Sequence, residues 1–85
     1  MNELEIEIGR TLGPSCFFVY QTLKHNSKLS LKDLEVESGM TDRQLKVILK
    51  NLIECGIVTR EKVFLRYCKG FLYSSNEQKE TWKFH

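Results

Sequence analysis

The most constraining feature of this 85-residue sequence is a complete apolar stripe in its third quarter. Leucine and isoleucine recur at i, i+3, i+4, i+7 and i+8, at Leu45, Ile48, Leu49, Leu52 and Ile53. This spacing is that of one face of an α-helix. Thr41 precedes the stripe as an N-cap, and Gly56 follows it as a stop. The sequence therefore predicts an amphipathic helix over about 41–55, with one face in a core and the other in solvent.

Capping residues delimit two shorter helices before this stripe. Gly13-Pro14 breaks the chain, and Pro14 suits the first turn of a helix from about Ser15 to His25. Ser30 is a good N-cap for a helix from Leu31 to about Ser38, and Gly39 is a good C-terminal stop. The second and third helices are therefore joined by a tight turn.

The stretch from Ile57 to Ser75 is rich in Val, Ile, Thr, Phe and Tyr, which indicates strands and predicts a two-stranded hairpin. A turn at 68–70 would pair Tyr67 with Phe71 and Leu65 with Tyr73, and this register is the preferred one. A turn at 61–62 would pair Thr59 with Phe64 and Ile57 with Arg66. The preferred register rests on its aromatic cross-strand pairs.

The two ends of the chain carry more apolar side chains than one small domain is expected to bury. In the first thirteen residues Asn2 and Glu5 have capping-box spacing, although Leu4, Ile6 and Ile8 also alternate as in a strand; helix is favoured. We expect the surplus apolar groups to form a homodimer interface. Its predicted members are Leu4, Ile8, Leu12, Phe17, Phe18, Trp82 and Phe84. The tail, 76–85, is expected either as a short helix that packs on a partner or as a frayed end, and 1–13 either as part of the dimer interface or as a frayed end. The competing interpretation is that the first helix buries these groups within one chain and that the ends fray.

Positive charge is concentrated in one third of the chain. Residues 41–70 carry seven basic and three acidic side chains, whereas the whole chain has a net charge of only +2. A localised basic patch is what a phosphate-binding face requires. The face of the 41–55 helix opposite the stripe is basic and amide-rich, which suits the acceptor-rich edges of bases in the DNA major groove.

The segment SLKDLEVESGMTDRQLKVILKNLIECGIVTREK, residues 30–62, resembles winged helix-turn-helix transcription regulators of the MarR and ArsR kinds. The resemblance covers about 14–75 and implies a single domain with a three-helix core, a two-stranded wing and terminal extensions. One position departs from the pattern, because Glu35 stands where such motifs usually have a small residue. We expect Glu35 to reach the edge and pair with Lys32 or Arg43, or the helices to cross differently.

The resemblance and the basic patch together predict a sequence-specific binder of double-stranded DNA that regulates transcription, with repression favoured. Arg43 and Gln44 are the expected base readers, Val47 is expected at a thymine methyl group, and Lys46 and Lys50 at phosphates. Thr41 both caps the helix and donates to a phosphate. Asn51 completes the helix face, and Arg60, Lys62, Arg66 and Lys69 are expected along the wing.

Other classes of function find little support in the sequence. No catalytic set of side chains and no phosphate-cradling glycine loop can be assembled, so an enzyme is not expected. The three cysteines, Cys16, Cys55 and Cys68, lack metal-ligand or disulfide spacing, so no metal or cofactor is expected. No small-molecule ligand or membrane partner is expected either, and the compartment is expected to be cytoplasmic. The competing hypothesis is a winged-helix module that binds other proteins without touching DNA.

Overall fold

The computed structural model describes residues 3–65 and 68–84, without the side chains of residues 65, 68 and 69. Its elements are α1 (Glu3–Thr11), α2 (Pro14–His25), β1 (Leu29–Ser30), α3 (Leu31–Ser38), α4 (Asp42–Glu54), β2 (Val58–Leu65), β3 (Cys68–Ser75) and a 3-10 helix (Lys79–Thr81). The strands form an antiparallel sheet in the order β1-β3-β2. This arrangement confirms the predicted α+β class.

The caps predicted for α3 and α4 are confirmed. Ser30 Oγ accepts a hydrogen bond from the Asp33 backbone N–H at 3.1 Å, and the Asp33 carboxylate accepts from the Ser30 N–H at 3.2 Å. Thr41 and Gln44 form the same reciprocal pair at the start of α4. Gly39 ends α3 with a φ of 72°, a left-handed conformation that glycine adopts without strain. The turn between the two helices is therefore fixed at both ends.

The apolar stripe of α4 packs into the core as its spacing predicts. Leu45, Leu49 and Leu52 are buried, and Ile48 and Ile53 are partly buried against them. Burial of each leucine side chain stabilises the fold by about 1.5 to 3 kcal/mol. The remaining core side chains come from α1, α2, α3, the sheet and the tail: Ile8, Cys16, Val19, Tyr20, Leu23, Leu34, Cys55, Ile57, Val58, Tyr73 and Trp82.

Residue Glu35 of α3 is half-buried. Within 3–65 and 68–84, no ion pair joins Glu35 to Lys32 or Arg43. The predicted pairing is therefore wrong for the described residues. The half-buried position still leaves the Glu35 carboxylate a route to water, which avoids the cost of full burial.

Helix α1 is held against the rest of the chain by a buried carboxylate. For its first residues the sequence leaves helix and strand open, with helix favoured. These residues are helical from Glu3 onward, and Asn2 lies outside the described residues. Glu5 is 2% exposed, and its carboxylate accepts hydrogen bonds from Lys24 Nζ at 3.0 Å and from Lys79 Nζ at 2.7 Å. Burial alone would raise the pKa of the Glu5 carboxyl, but the two lysines outweigh it, so the pKa is lowered from its ordinary value.

The hairpin of β2 and β3 has a different register from both of the predicted ones. Val58 pairs with Ser75, Arg60 with Tyr73, Lys62 with Phe71 and Leu65 with Cys68, so the strands are joined through residues 66–67. The predicted turns at 68–70 and at 61–62 are therefore wrong. β1, which the sequence did not predict, pairs Leu29 with Tyr73 and Ser30 with Leu72. This third strand ties β3 to the start of α3.

The tail folds back onto its own chain. Trp82 is buried, its ring meets Tyr20 edge-on at 5.4 Å, and its Nε1–H donates to the Asn76 carbonyl at 2.9 Å. The backbone N–H of Lys83 donates to the Cys55 carbonyl at 2.8 Å. The predicted frayed end is therefore wrong, and the short helix that the tail does form, Lys79–Thr81, belongs to a segment that packs on its own chain.

These contacts change the argument for the predicted dimer interface. Ile8 and Trp82 lie in the core of the single chain, and Leu12, Phe17 and Phe84 pack partly buried against that core. The first helix and the tail therefore bury most of the apolar surplus intramolecularly. Only Leu4 and Phe18, at 39% and 47% exposure, remain as predicted interface residues with substantial exposed surface.

Candidate nucleic-acid interface

Helix α4 presents a basic and amide-rich face to solvent. Arg43, Val47, Lys50 and Asn51 are all exposed, and Val47 is 60% exposed although its side chain is apolar. The buried leucines on the opposite side of the helix fix this orientation. The structure therefore brings four of the predicted DNA-binding residues together on one helix surface.

Two predicted residues at the start of α4 are already engaged with each other. The Gln44 Oε1 atom accepts from the Thr41 backbone N–H at 3.1 Å, and Thr41 Oγ1 accepts from the Gln44 backbone N–H at 3.2 Å. A Gln44 side chain that reads a base must leave this capping box, at a cost of the order of 1 kcal/mol. Gln44 is thus a less favourable base reader than Arg43, which forms no capping contact.

The face of the hairpin that looks toward the helices alternates basic and aromatic side chains. Because directly paired residues share a face, the observed register places Arg60 and Lys62 on the same side as Phe71 and Tyr73. The Arg60 guanidinium carbon lies 4.6 Å from the centroid of the Phe71 ring, a cation–π contact that fixes its direction. Phe64, 81% exposed, continues this face toward residues 66–67.

Two predicted residues of the hairpin cannot be placed. Arg66 lies outside the described residues, and so does the side chain of Lys69, whose backbone pairs with Phe64. The register moves Lys69 away from the hairpin tip, where the sequence had placed it. The described basic groups of the hairpin are thus Arg60 and Lys62.

An open groove of about 790 Å³ separates α4 from this face of the sheet. Lys46 and Lys50 line it on the helix side, Arg60 lines it on the sheet side, and Lys32 closes it from the start of α3. Lys46 forms an exposed ion pair with Asp42 at 3.7 Å. The sequence did not single out Lys32, because nothing local shows that the first turn of α3 meets the end of the sheet.

Acidic side chains are few around this surface, and one of them is neutralised elsewhere. Glu61 on β2 pairs with Lys28 at 2.8 Å, while Glu54 lines the groove beside α4. The side chains that line the groove thus include four cations, Lys32, Lys46, Lys50 and Arg60, and one carboxylate, while Lys46 has a second acidic neighbour in Asp42 outside the lining. Such an excess of positive charge attracts phosphate or other anions.

Other kinds of site find no geometric support in the described chain. No group of three or more His, Cys, Asp or Glu side chains in residues 3–65 and 68–84 is arranged to hold a metal ion. Cys16 and Cys55 are buried free thiols, and burial raises the pKa of Cys16, which makes it a poor nucleophile. None of the described helices has the length and apolar character needed to cross a membrane.

Comparisons with known proteins leave the geometry as the main guide to function. No family model matches the sequence, and no curated protein matches it at a significant level.

Proposed function

We propose that the chain is a winged helix-turn-helix domain. The succession of α2, the short α3, a tight turn, the amphipathic α4 and the β2–β3 hairpin is that of a helix-turn-helix followed by a wing, and it supports this assignment. The tight, doubly capped turn between α3 and α4 supports the same assignment. α1 and the tail then form additions that cover the core.

We further propose that the domain binds double-stranded DNA in a sequence-specific way and acts as a transcription regulator, with repression favoured. The observation that carries this proposal is the exposed basic face of α4, which is set by the buried stripe opposite. The major groove, about 12 Å wide, admits one such helix. Arg43 would read a guanine edge, and Val47 would touch a thymine methyl group.

The flanking cations fit the backbone of the same duplex. Lys46 and Lys50 lie on the side of α4 that faces the hairpin, and Arg60 and Lys62 lie on the facing side of the hairpin. One phosphate strand passing between helix and wing would meet all four. These contacts would position the protein without reading sequence.

Binding of labelled duplex DNA, followed by fluorescence anisotropy over a series of salt concentrations, tests the proposal. Four phosphate contacts predict that log K falls with log [salt] with a slope of about −3 to −4. Selection of bound fragments from random duplexes should then yield a recurring motif. Absence of salt-dependent binding to any duplex would contradict the proposal and favour the protein-binding alternative.

Substitutions on α4 separate base reading from phosphate binding. Arg43→Ala should weaken binding to the selected motif by about 1 to 3 kcal/mol and relax the preference at one position, if Arg43 makes a two-pronged guanine contact. Lys50→Ala should weaken binding to all DNA sequences alike and reduce the magnitude of the slope of log K against log [salt] by about 1. Lys83→Ala, at an exposed tail position, is the matched control and should change neither. An Arg43→Ala protein with unaltered motif preference would remove Arg43 from the readers.

We also propose a homodimer, now built from the apolar groups that the fold leaves exposed on α1 and α2. Leu4 and Phe18 carry this proposal, together with Ile6, which is 40% exposed. A two-fold pair would present two α4 helices to half-sites about 34 Å apart and so favour a near-palindromic site. Sedimentation at micromolar concentration tests it, with Phe18→Ser expected to shift the chain to monomer. A wild-type species that stays at 10.0 kDa would exclude the dimer.

A further inference from the structure

The groove between α4 and the sheet has an apolar floor that DNA binding does not require. Leu31, Leu49, Ile53, Phe71 and Tyr73 form the floor, and Phe71 is 38% exposed. Phosphates and sugars of a duplex gain little from such a surface. At about 790 Å³ the groove has the size of sites that bind small molecules, which are mostly apolar with a few convergent polar groups.

The rim of the groove specifies the charge of an occupant. Lys32, Lys46, Lys50 and Arg60 surround the floor, and Glu54 is the acidic side chain among the lining residues. In the described part of the chain, no ion pair occupies Lys32 or Lys50. These ammonium groups are exposed and carried on long stems, so they can turn toward an anion above the floor.

We propose that this groove binds a small amphiphilic anion, with an apolar body on the floor and a carboxylate, sulfonate or phosphate head at the rim. The body would lie against the exposed Phe71 of the sheet and the half-buried Ile53 of α4. The head would lie near Lys50 and Arg60. No small-molecule ligand is expected from the sequence, because a chain of this length has little room for an internal pocket; the groove lies instead at the surface between α4 and the sheet.

Binding at this site would regulate the proposed DNA contact. Lys46, Lys50 and Arg60 are the same cations that are assigned to phosphates, so an anion at the rim and a duplex would compete for them. This regulatory half of the inference rests on the proposed function. The binding half does not, because the groove exists whether or not the chain binds DNA.

Direct binding of chemically matched probes tests the groove itself. Dodecanoate supplies an alkyl body and anilinonaphthalene sulfonate an aryl body, while dodecanol carries no charge. Titrations below the micelle concentration, followed by backbone amide NMR shifts, should show saturable binding of either anion, with the largest changes at the floor residues. The tighter of the two anions identifies the body, and dodecanol should bind at least about fivefold more weakly.

Matched variants locate the site. Phe71→Ser should weaken binding of the anion about tenfold, since it removes apolar floor, whereas Phe64→Ser removes an exposed phenylalanine of the same hairpin outside the groove and should change little. Lys50→Glu should weaken binding of the anion about fivefold or more, and Lys83→Glu, at an exposed position in the tail, should leave that binding unchanged. Circular dichroism checks that each variant is folded, and the NMR map on the unmodified chain locates the site without any substitution.

Three results would overturn the binding proposal: no saturable binding of either anion, shift changes located away from the groove, or equal binding of dodecanol. Competition is measured separately, by adding the bound anion to a protein–DNA complex, and release of the duplex is expected. Because the Phe71 ring contacts the Arg60 guanidinium, the DNA affinity of Phe71→Ser is measured first; at equal occupancy of the duplex this variant should need a higher anion concentration for release than the unmodified chain. A chain that binds the anion but no duplex would refute the proposed function and leave the ligand site standing.

Discussion

The buried carboxylate of Glu5 allows a prediction about the stability of the domain and its pH dependence, which substitution of its two lysine partners should change. In the native chain Lys24 and Lys79 supply the charges that make burial of this group tolerable. Glu5→Gln keeps the shape and removes the charge, and the two ammonium groups, 33% and 23% exposed, can regain water. We therefore expect a moderate loss of about 1 to 2 kcal/mol in the free energy of unfolding.

Removal of both lysines is expected to cost more than removal of the carboxylate. The double variant Lys24→Met with Lys79→Met leaves a buried charge without these partners, a change worth about 3 to 5 kcal/mol. An 85-residue domain has a total stability of about 4 to 13 kcal/mol, so this loss is a large fraction of it. The melting temperature should fall by about 4 to 8 °C for each kcal/mol lost.

The pH dependence distinguishes the two variants. In the native chain the folded pKa of Glu5 is below its unfolded value, so its stabilisation is present above the unfolded value, about 4.5, and is lost as pH falls through the folded one. Without the lysines the effect of burial, which raises the pKa of the Glu5 carboxyl, is opposed less, so the folded pKa lies above that of the native chain. The stability deficit of the double variant relative to native protein should therefore shrink as pH falls through its folded pKa, because the carboxyl takes up a proton there.

Urea unfolding between pH 4 and 8 measures both the loss of stability and its pH dependence. The fluorescence of Trp82, the single tryptophan and a buried residue, follows unfolding of the core. The difference in the free energy of unfolding between native protein and Glu5→Gln, taken at each pH, isolates the contribution of this one carboxyl from that of all other titrating groups. Lys83→Met, which removes an exposed lysine, is the control for the lysine substitutions. A double variant that is no less stable than Glu5→Gln, and that shows the same pH dependence, would refute the proposed role of the lysines.

Three further predictions concern single side chains, each measured by urea unfolding. Thr41→Ala should destabilise the chain by about 1 kcal/mol, because it removes the N-cap of α4, and Thr41→Ser should restore most of that. Gly56→Ala should cost at least about 1 kcal/mol, since its φ is 77° and an added Cβ would lie 3.2 Å from the Thr81 carbonyl oxygen; no loss would contradict that conformation. Tyr20→Phe should be neutral or stabilising, because the buried Tyr20 hydroxyl has no hydrogen-bond partner among the described residues.

Local signals in the sequence were sufficient to predict most of the helical part. Ser30, Gly39 and Thr41 each act within three or four residues of themselves, so the ends of α3 and α4 could be predicted from side-chain chemistry alone. The stripe beginning at Leu45 likewise needs no distant partner to define its buried side. The exposed face of α4 follows directly from that stripe.

What could not be predicted depends on contacts between distant parts of the chain. Aromatic residues on both strands allow several registers of similar quality, and the turn predicted at 68–70 is excluded by the observed pairing of Leu65 with Cys68. A two-residue strand such as β1 has no periodicity of its own. The groove arises only when α4, α3 and the sheet meet, so Lys32 gave no local sign of its place there.

The contact between Glu5 and Lys79 joins residues 74 positions apart. During synthesis α1 precedes the rest of the described chain, and Lys24 on α2 can reach the Glu5 carboxylate well before Lys79 has left the ribosome. Helices such as α2 and α4 can form early, since their bonds are local, but the second ammonium partner of Glu5 arrives only with the tail. Until the tail has emerged, the part of the core that Trp82 later covers is open to chaperones.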